Sequence, residues 1–459
     1  MTNIVKQHLS VEELSKIDKE YFIHPTTVPK DFIENGPKII FSEGNGIRVK
    51  DVNGTEYIDG VSMLWNVNLG YGQKELAEAA YKQLNTLPYC SSFYGYSNEN
   101  AIRLAERIVS VAPGDLSGVF FTSGGSESNE TAFKLVRHYW DMKGYKEKKT
   151  IISLKRGYHG ATIATGSATG IAGFHNFSGS KDTDILHAKP HLTNAELGDK
   201  SDPDYDQSIR NIIDQVGSNK IAAVIMEPVQ GAGGVHVPPE RYLQAVKKLC
   251  EEKNVLFIAD EVICGFGRTG KMFGVENWDV EPDVMCVAKG ITSGYAQLGA
   301  VLLNREIRDT LVQYDQILGH GFTYSGHPTA CAVGLATLDL LEKQNILQNV
   351  NEMEKELKKG FKYLEENHPH IANTRAVGLL AGFDLMQDPE SGTPFDQSIR
   401  AARYIVDHCF DNKLILRAAD FEHQVNIVAI APPLIINKQE VEEIINIVDD
   451  ALTSFEKTL

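Results

Sequence analysis

No two of the six cysteines stand at C-x-x-C spacing. Cys90, Cys250, Cys264, Cys286, Cys331 and Cys409 are scattered, three of them in apolar runs. That excludes a disulfide framework and a zinc site, and it predicts buried free thiols in a reducing compartment. Basic residues are also in deficit. Lys plus Arg is 45 against 61 for Asp plus Glu, a formal charge of −16. A nucleic-acid partner wants a basic face, so none is expected. The acids are dispersed rather than gathered in a tail, which favours solubility. No apolar run is long enough to cross a bilayer. The opening MTNIVKQHLSVEELSKIDKEY has no apolar core of a secretory signal. A cytoplasmic protein with no membrane partner is the expectation. Internal repeats and low-complexity linkers are absent as well. What remains is 459 residues, 42% of them apolar, enough for a large core in two or three lobes.

Ser10 and Glu13 form a capping box that predicts a helix over 10–20. His24-Pro25 starts an extended arm. Asn53-Gly54 joins two alternating runs in a hairpin over Gly46–Asp59. From residue 73 helices and apolar strands alternate. Strands are expected at Val119–Thr122, Thr150–Leu154, Ala222–Met226, Val255–Ala259, Val284–Ala288 and Gly299–Leu303. This alternation signals a mostly parallel α/β sheet covered on both faces. After His327-Pro328 the pattern changes to a separate α+β lobe. There a strand is expected within Gly378–Leu385 and another at Leu414–Arg417. A closing helix is capped by Asn437 and Glu440.

The most informative stretch is Val255–Gly290, VLFIADEVICGFGRTGKMFGVENWDVEPDVMCVAKG. Two apolar strands end in single charges, Asp260 and Lys289. Ligands of open α/β sheets bind at strand carboxyl ends. A lysine in a dry pocket deprotonates readily and attacks carbonyls. An aspartate beside it can keep a heterocyclic nitrogen protonated, and together they suit pyridoxal 5′-phosphate. A salt bridge between two strand ends is the plainer alternative. Gly290, lacking Cβ, is expected to leave room for a ligand. Gly265, Gly267 and Gly270 spell G-x-G-x-x-G, but the next residues, KMFGVENWDVEP, have no helical period, so a dinucleotide site is not expected. A glycine-rich turn with Arg268 exposed is expected instead.

Other strand ends carry chemistry too. In VFFTSGGSESN, Gly124, Gly125 and Ser126 lie between a strand and a helix start, either an anion cup or a plain cap. In GYHG, Tyr158 is a candidate to stack on a flat ring, with His159 beside it; either could be structural. Glu227, in EPVQGAGG, could touch a ligand or pair with a buried base. Trp65 sits in GVSMLWNVNLGYG, a core crossing or a loop near a site. Successive strand ends of one sheet thus carry an anion cup, an aromatic, a carboxylate, an aspartate and a lysine.

With these residues in hand the chain resembles the class III (ω-) aminotransferases, pyridoxal-phosphate enzymes of fold type I. The resemblance runs nearly end to end and is most specific in DEVICGFGRTG and DVMCVAKGITSGY. It implies a seven-stranded, mostly parallel large domain over 61–326. A smaller α+β domain would be built from both termini, residues 1–60 and 327–459. It implies that Lys289 forms the Schiff base and shuttles the proton, and that Asp260 pairs with the pyridine nitrogen. Val262 would pack on the ring face opposite Tyr158, and Gly125 and Ser126 would hold the phosphate. Phe322 and Thr323 resemble a phosphate contact donated across a homodimer interface. Glu227 matches a position near the cofactor with no evident partner. Arg417 matches the arginine that grips a substrate carboxylate; a salt bridge to Asp420 or Glu422 is the alternative.

Two departures stand out. The family cup usually reads Ser-Gly-Ser, so Gly124 removes one hydroxyl. Ile263 replaces the glutamine that some ω-amino-acid enzymes carry, which points away from the 4-aminobutyrate and ornithine branch. LWNVNLGYG around Trp65 and LILRAAD around Arg417 look most like the branch using pyruvate with ω-amines, β-alanine or taurine. The implied partners are a small amine donor and a keto-acid acceptor, in a homodimer or a tetramer, with Trp65, Phe93, Tyr94 and Tyr158 as pocket walls. Rival readings are dialkylglycine-type decarboxylation, amino-group migration or the diamino-acid (diaminopelargonate) step of biotin synthesis. A non-catalytic regulator on this fold would need a basic segment ahead of Pro25, and Met1–His24 is not basic.

Overall fold

The computed structural model describes residues 9–177, 181–190, 207–419 and 426–459. Its centre is a seven-stranded sheet. Across the sheet the strands run Leu116–Thr122, Gly299–Asn304, Val284–Val287, Leu256–Asp260, Ile221–Met226, Thr150–Leu154 and Ile185–Ala188. Six are parallel and Gly299–Asn304 runs against both its neighbours. The three central strands are buried at every residue. Continuous Val, Ile and Ala runs of this kind form where helices cover both faces of a sheet. One such helix, Gly125–Met142, buries Ala132, Leu135, Val136 and Tyr139 against it.

Six of the seven strands match the sequence expectation to within a few residues. The edge strand Ile185–Ala188 was not anticipated, since only its end residues are buried and four residues give little period. The hairpin over Arg48–Asp51 and Glu56–Asp59 is present, preceded by the unanticipated strand Phe41–Asn45. Five cysteines are buried and Cys90 is half-buried; all six are free. Among the described residues no helix is long and apolar enough to cross a membrane, and no cluster suits a metal ion.

Two smaller sheets flank the large one. The Phe41–Asn45, Arg48–Asp51 and Glu56–Asp59 strands are completed by Leu414–Ile415, which pairs in parallel with Ile58 and Asp59. A five-stranded sheet holds Ile371–Val377, Leu380–Asp388, Ile427–Ile430 and Arg417–Ala419, with Thr393–Pro394 at one side. The expected single strand Leu414–Arg417 is therefore two strands, broken at Leu416 and shared between sheets. Both capping boxes form: Ser10 with Glu13 opens Val11–Tyr21, and Asn437 with Glu440 opens Lys438–Glu456. The latter helix buries Val441, Ile444, Ile445, Val448 and Leu452.

As anticipated, G-x-G-x-x-G opens no α-helix. Gly267 and Gly270 take φ of +93° and +83° in a turn closed by Met272, and the short 3₁₀ helix Gly274–Trp278 comes next. Arg268, however, is not exposed. It is fully buried, because its guanidinium meets four acceptors from remote segments: Ser62 Oγ, Asn68 Oδ1 and the carbonyls of Leu379 and Pro432.

Candidate active site

The carboxyl ends of the parallel strands open on a cavity of about 410 Å³. Lys289, Asp260, Glu227, Tyr158, His159, Gly125, Ser126, Val262, Trp65 and Arg417 all line it. Sequence reasoning had singled out each of them, and the sheet order brings them together.

Asp260 is the last residue of its strand and is 2% exposed. One oxygen, Oδ2, accepts from Asn129 Nδ2 at 2.7 Å and faces His159 Nδ1 at 2.8 Å. The other accepts the Val262 N–H at 3.1 Å. Three partners fix the carboxylate from three elements, so its direction into the cavity is set before any ligand arrives. His159 therefore braces Asp260. Asn129 was missed from sequence, though it sits one turn along the helix from Gly125, on the face that meets Asp260.

Lys289 comes just after the Val284–Val287 strand, with φ of +46°. Burial pulls its ammonium down to about 8, against the opposing pull of Glu227 and Asp260; Arg417 adds to the lowering. The amine thus gives up its proton far more readily than a solvated lysine, and the neutral form is the one a nucleophile or base requires. Gly290 does not make room for a ligand. A Cβ there would meet Asn68 Nδ2 at 2.5 Å and Phe266 Cβ at 3.1 Å, so its small size serves close packing of protein.

Glu227 finds its partners in backbone. Tyr158 N–H donates to Oε1 and Gly231 N–H to Oε2, both at 2.9 Å. Burial nevertheless pushes its carboxyl up to about 7. The Tyr158 ring, edge-on to Phe174, and Val262 both border the cavity. Gly125 lets the helix start approach Val262, whose Cγ1 would lie 2.9 Å from an added Cβ.

The helix Gly125–Met142 has no side-chain cap. Gly124 is its extended N-cap, outside the cavity lining. Ser126 Oγ accepts the Ala161 N–H at 3.1 Å. Gly160, at φ +136°, passes so close that a Cβ would sit 2.6 Å from Ser126 Oγ. Unsupplemented N–H groups at the start of a long helix suit an anion.

Trp65 and Arg417 form the facing wall. The Arg417 guanidinium lies 4.5 Å and Lys289 Nζ 5.2 Å from the Trp65 ring centroid. Such placements over an indole are attractive. Asp420 and Glu422, the alternative partners for Arg417, lie outside the described residues. Leu64, Phe174, Ala232, Ile263 and the arm residues Pro25 and Thr26 complete the lining. The arm was visible in sequence, but nothing local showed where it ends. Phe322 and Thr323 do not reach this chain's own cavity. Thr323 is exposed and its carbonyl accepts from Tyr89 Oη. Phe93 and Tyr94, expected as walls, are also exposed and outside the cavity.

A braced aspartate, a readily deprotonated lysine and an uncapped helix start at neighbouring strand ends fit an aromatic aldehyde phosphate. The fold and this donor set define a pyridoxal-phosphate enzyme of fold type I. Comparison with known proteins makes the class specific. The family described as Aminotransferase class-III matches residues 33–452. A putrescine–pyruvate aminotransferase of Pseudomonas aeruginosa is 37% identical over 95% of this chain and 94% of its own. A diaminobutyrate–2-oxoglutarate transaminase of Halomonas elongata is 36% identical over 96% and 97%. The crystal structure of a transaminase from the marine bacterium Virgibacillus superposes with a TM-score of 0.94 at 45% identity, covering 97% of this chain and 99% of that one. The chain belongs to the class III aminotransferase family. It is a pyridoxal-phosphate-dependent aminotransferase, acting on an amine donor and a keto acid.

Proposed function

We propose that this enzyme is an ω-amine:pyruvate-type aminotransferase. The observation that carries the reading is the wall facing Lys289: one arginine over an indole, in a cavity whose apolar lining includes Leu64, Phe174, Val262 and Ile263. Such a wall accepts an apolar amine, and it grips a small keto acid by its carboxylate.

When bound, the cofactor supplies the carbonyl that takes the amino group and a ring that spreads the charge left by proton removal. Lys289 Nζ would hold the cofactor by its carbonyl carbon and, once displaced from it by the donor amine, would as a free amine take the proton from the donor's α-carbon. Asp260, kept in place by Asn129 and His159, would hold a proton on the ring nitrogen. Tyr158 and Val262 would pack on the ring's two faces. Gly125 and Ser126, with Gly124 as N-cap, bind the phosphate through the helix start. Glu227 keeps a negative charge, or a proton near neutrality, beside Lys289. Arg417 binds the keto acid's carboxylate and swings aside for a carboxylate-free donor.

Phe322 and Thr323 are assigned to the partner subunit's phosphate in a homodimer with shared sites. Supporting this, Thr323 lies outside its own cavity, and Tyr81, Tyr89, Tyr94, Tyr96 and Tyr324 leave large aromatic surfaces exposed. The division at about residues 60 and 326 into a large and a two-termini small domain belongs to the same reading, as does a cytoplasmic location, supported by six free thiols. The test is a donor panel run against pyruvate and 2-oxoglutarate, with alanine and glutamate read separately. Alanine formation from 1-phenylethylamine or a terminal diamine is expected. Glutamate as the main product, or CO₂ release from a dialkyl amino acid, overturns the reading.

A further inference from the structure

Arg268 takes no part in the chemistry above, yet among the described residues it is the largest fully buried side chain. Its Nη2 donates to Ser62 Oγ at 2.9 Å and Asn68 Oδ1 at 3.2 Å. Its Nη1 donates to the carbonyls of Leu379 at 3.0 Å and Pro432 at 2.6 Å. No carboxylate among the described residues forms an ion pair with it; Asp59 acts on it only through space. A charge buried against neutral acceptors is a poor device for stability; apolar packing of the same volume serves better.

The acceptors have a pattern. Ser62 and Asn68 bracket the segment that carries Trp65. That segment is strained: Ser62, Met63 and Trp65 have φ of +48°, +54° and +56°, and none is glycine. Such conformations persist only where surroundings over-determine them. Asp59 fixes one side by accepting the Val61 and Met63 N–H groups and the Tyr71 hydroxyl. Arg268 holds the other, together with the Ser62 Oγ bond to the Ala431 carbonyl and the Asn68 Nδ2 bond to the Phe266 carbonyl. Its remaining acceptors belong to the flank of the five-stranded sheet. Pro432 lies just beyond strand Ile427–Ile430, whose Ala429 pairs with Arg417. Leu379 N–H in turn donates to the Arg268 carbonyl.

We infer that Arg268 is a positioning residue that sets Trp65 against Arg417, by tying the Ser62–Asn68 segment to the sheet that bears the arginine. It does not line the cavity and touches no reacting group. A planar fork reaches acceptors on two sides; a lysine offers a single point and cannot replace it. The inference rests on the proposed substrate role of the Trp65–Arg417 wall.

The test uses Arg268→Lys, which keeps the charge. The chain has three tryptophans, so Trp140→Phe with Trp278→Phe leaves Trp65 as sole reporter. Arg268→Lys in that background should raise acrylamide quenching of Trp65 about twofold or more, with the cofactor removed and with it bound. Quenching of Trp278, as sole reporter in a matched chain, should stay the same. In the full enzyme the KM for pyruvate should rise about tenfold, while kcat and the amine KM stay within about threefold. Unchanged Trp65 quenching overturns the inference. So does an equal loss in both half-reactions tracking a fall in Tm, the signature of a merely structural residue. If Arg268→Lys does not fold, Ser62→Ala removes one Arg268 tie together with the Ser62 Oγ bond to the Ala431 carbonyl, leaves the charge in place, and should move Trp65 quenching the same way by less; no movement overturns the inference. Should the enzyme refuse pyruvate while Trp65 quenching still rises, the proposed function fails and the positioning role stands.

Discussion

The two sides of the cavity are built differently. The side holding Asp260, Glu227 and Tyr158 grows from adjacent parallel strands, and its carboxylates are pinned by two or three hydrogen bonds each. The side holding Trp65 and Arg417 is gathered from a strained segment, an N-terminal arm and a three-residue strand. One side is a rigid scaffold with fixed charges. The other is an assembly of remote pieces, where specificity can vary without disturbing the sheet.

The sharpest test removes the lysine proposed as the nucleophile. Lys289→Ala should cut multiple-turnover activity by at least about 10³-fold, since a lost nucleophile and base removes several kcal/mol of barrier lowering. The yellow cofactor band should disappear with it. Full turnover in this variant breaks the assignment.

Asp260→Asn probes the pinned charge. Its kcat should fall by about 10²-fold or more, while substrate KM changes little. A change in cofactor affinity alone would show that Asp260 anchors rather than activates.

Arg417→Ala probes the assembled side and should do uneven damage. Single-turnover spectra should show the pyruvate half-reaction slowed about 10²-fold, as a charge-assisted pair is lost. The half-reaction with 1-phenylethylamine should change far less. Equal losses would make Arg417 structural and erase the contrast between the two sides.

The smallest effect is thermodynamic. Burial lowers the folded Lys289 pKa from 10.5 to about 8. Between these values the unfolded chain binds the extra proton, so this residue makes stability rise with pH in that window. Below about 8 both states are protonated and the full burial penalty applies. With cofactor removed, Lys289→Met should therefore be the more stable chain at pH 7, by on the order of a kcal/mol or more. Urea titrations should show that advantage shrinking toward pH 10.5. A pH-independent gap would mean that Lys289 is not desolvated.

Legibility in the sequence runs along the same divide. Lys289, Asp260, Glu227 and Tyr158 could be placed because strand ends announce themselves in apolar periodicity. The partners of Glu227 could not, since they are backbone N–H groups that any residue carries. Arg268 was misplaced because its surroundings lie far along the chain, at Ser62, Leu379 and Pro432. Local composition marks a glycine turn and says nothing of what folds over it. Gly290 was assigned the wrong neighbour for the same reason. The break at Leu416 was also hidden: LILR reads as one strand, and only the two sheets it serves divide it.

The parallel pairing of Leu414–Ile415 with Ile58 and Asp59 joins opposite ends of the polypeptide. On the ribosome the first hairpin emerges early and waits through nearly the whole of translation for its last strand. The large sheet can form in the meantime from strands closer together in the chain, whereas contacts of such long separation close late. A nascent chain halted before Leu414 can therefore hold Asp260 and Lys289 at their strand ends and still lack Arg417 altogether.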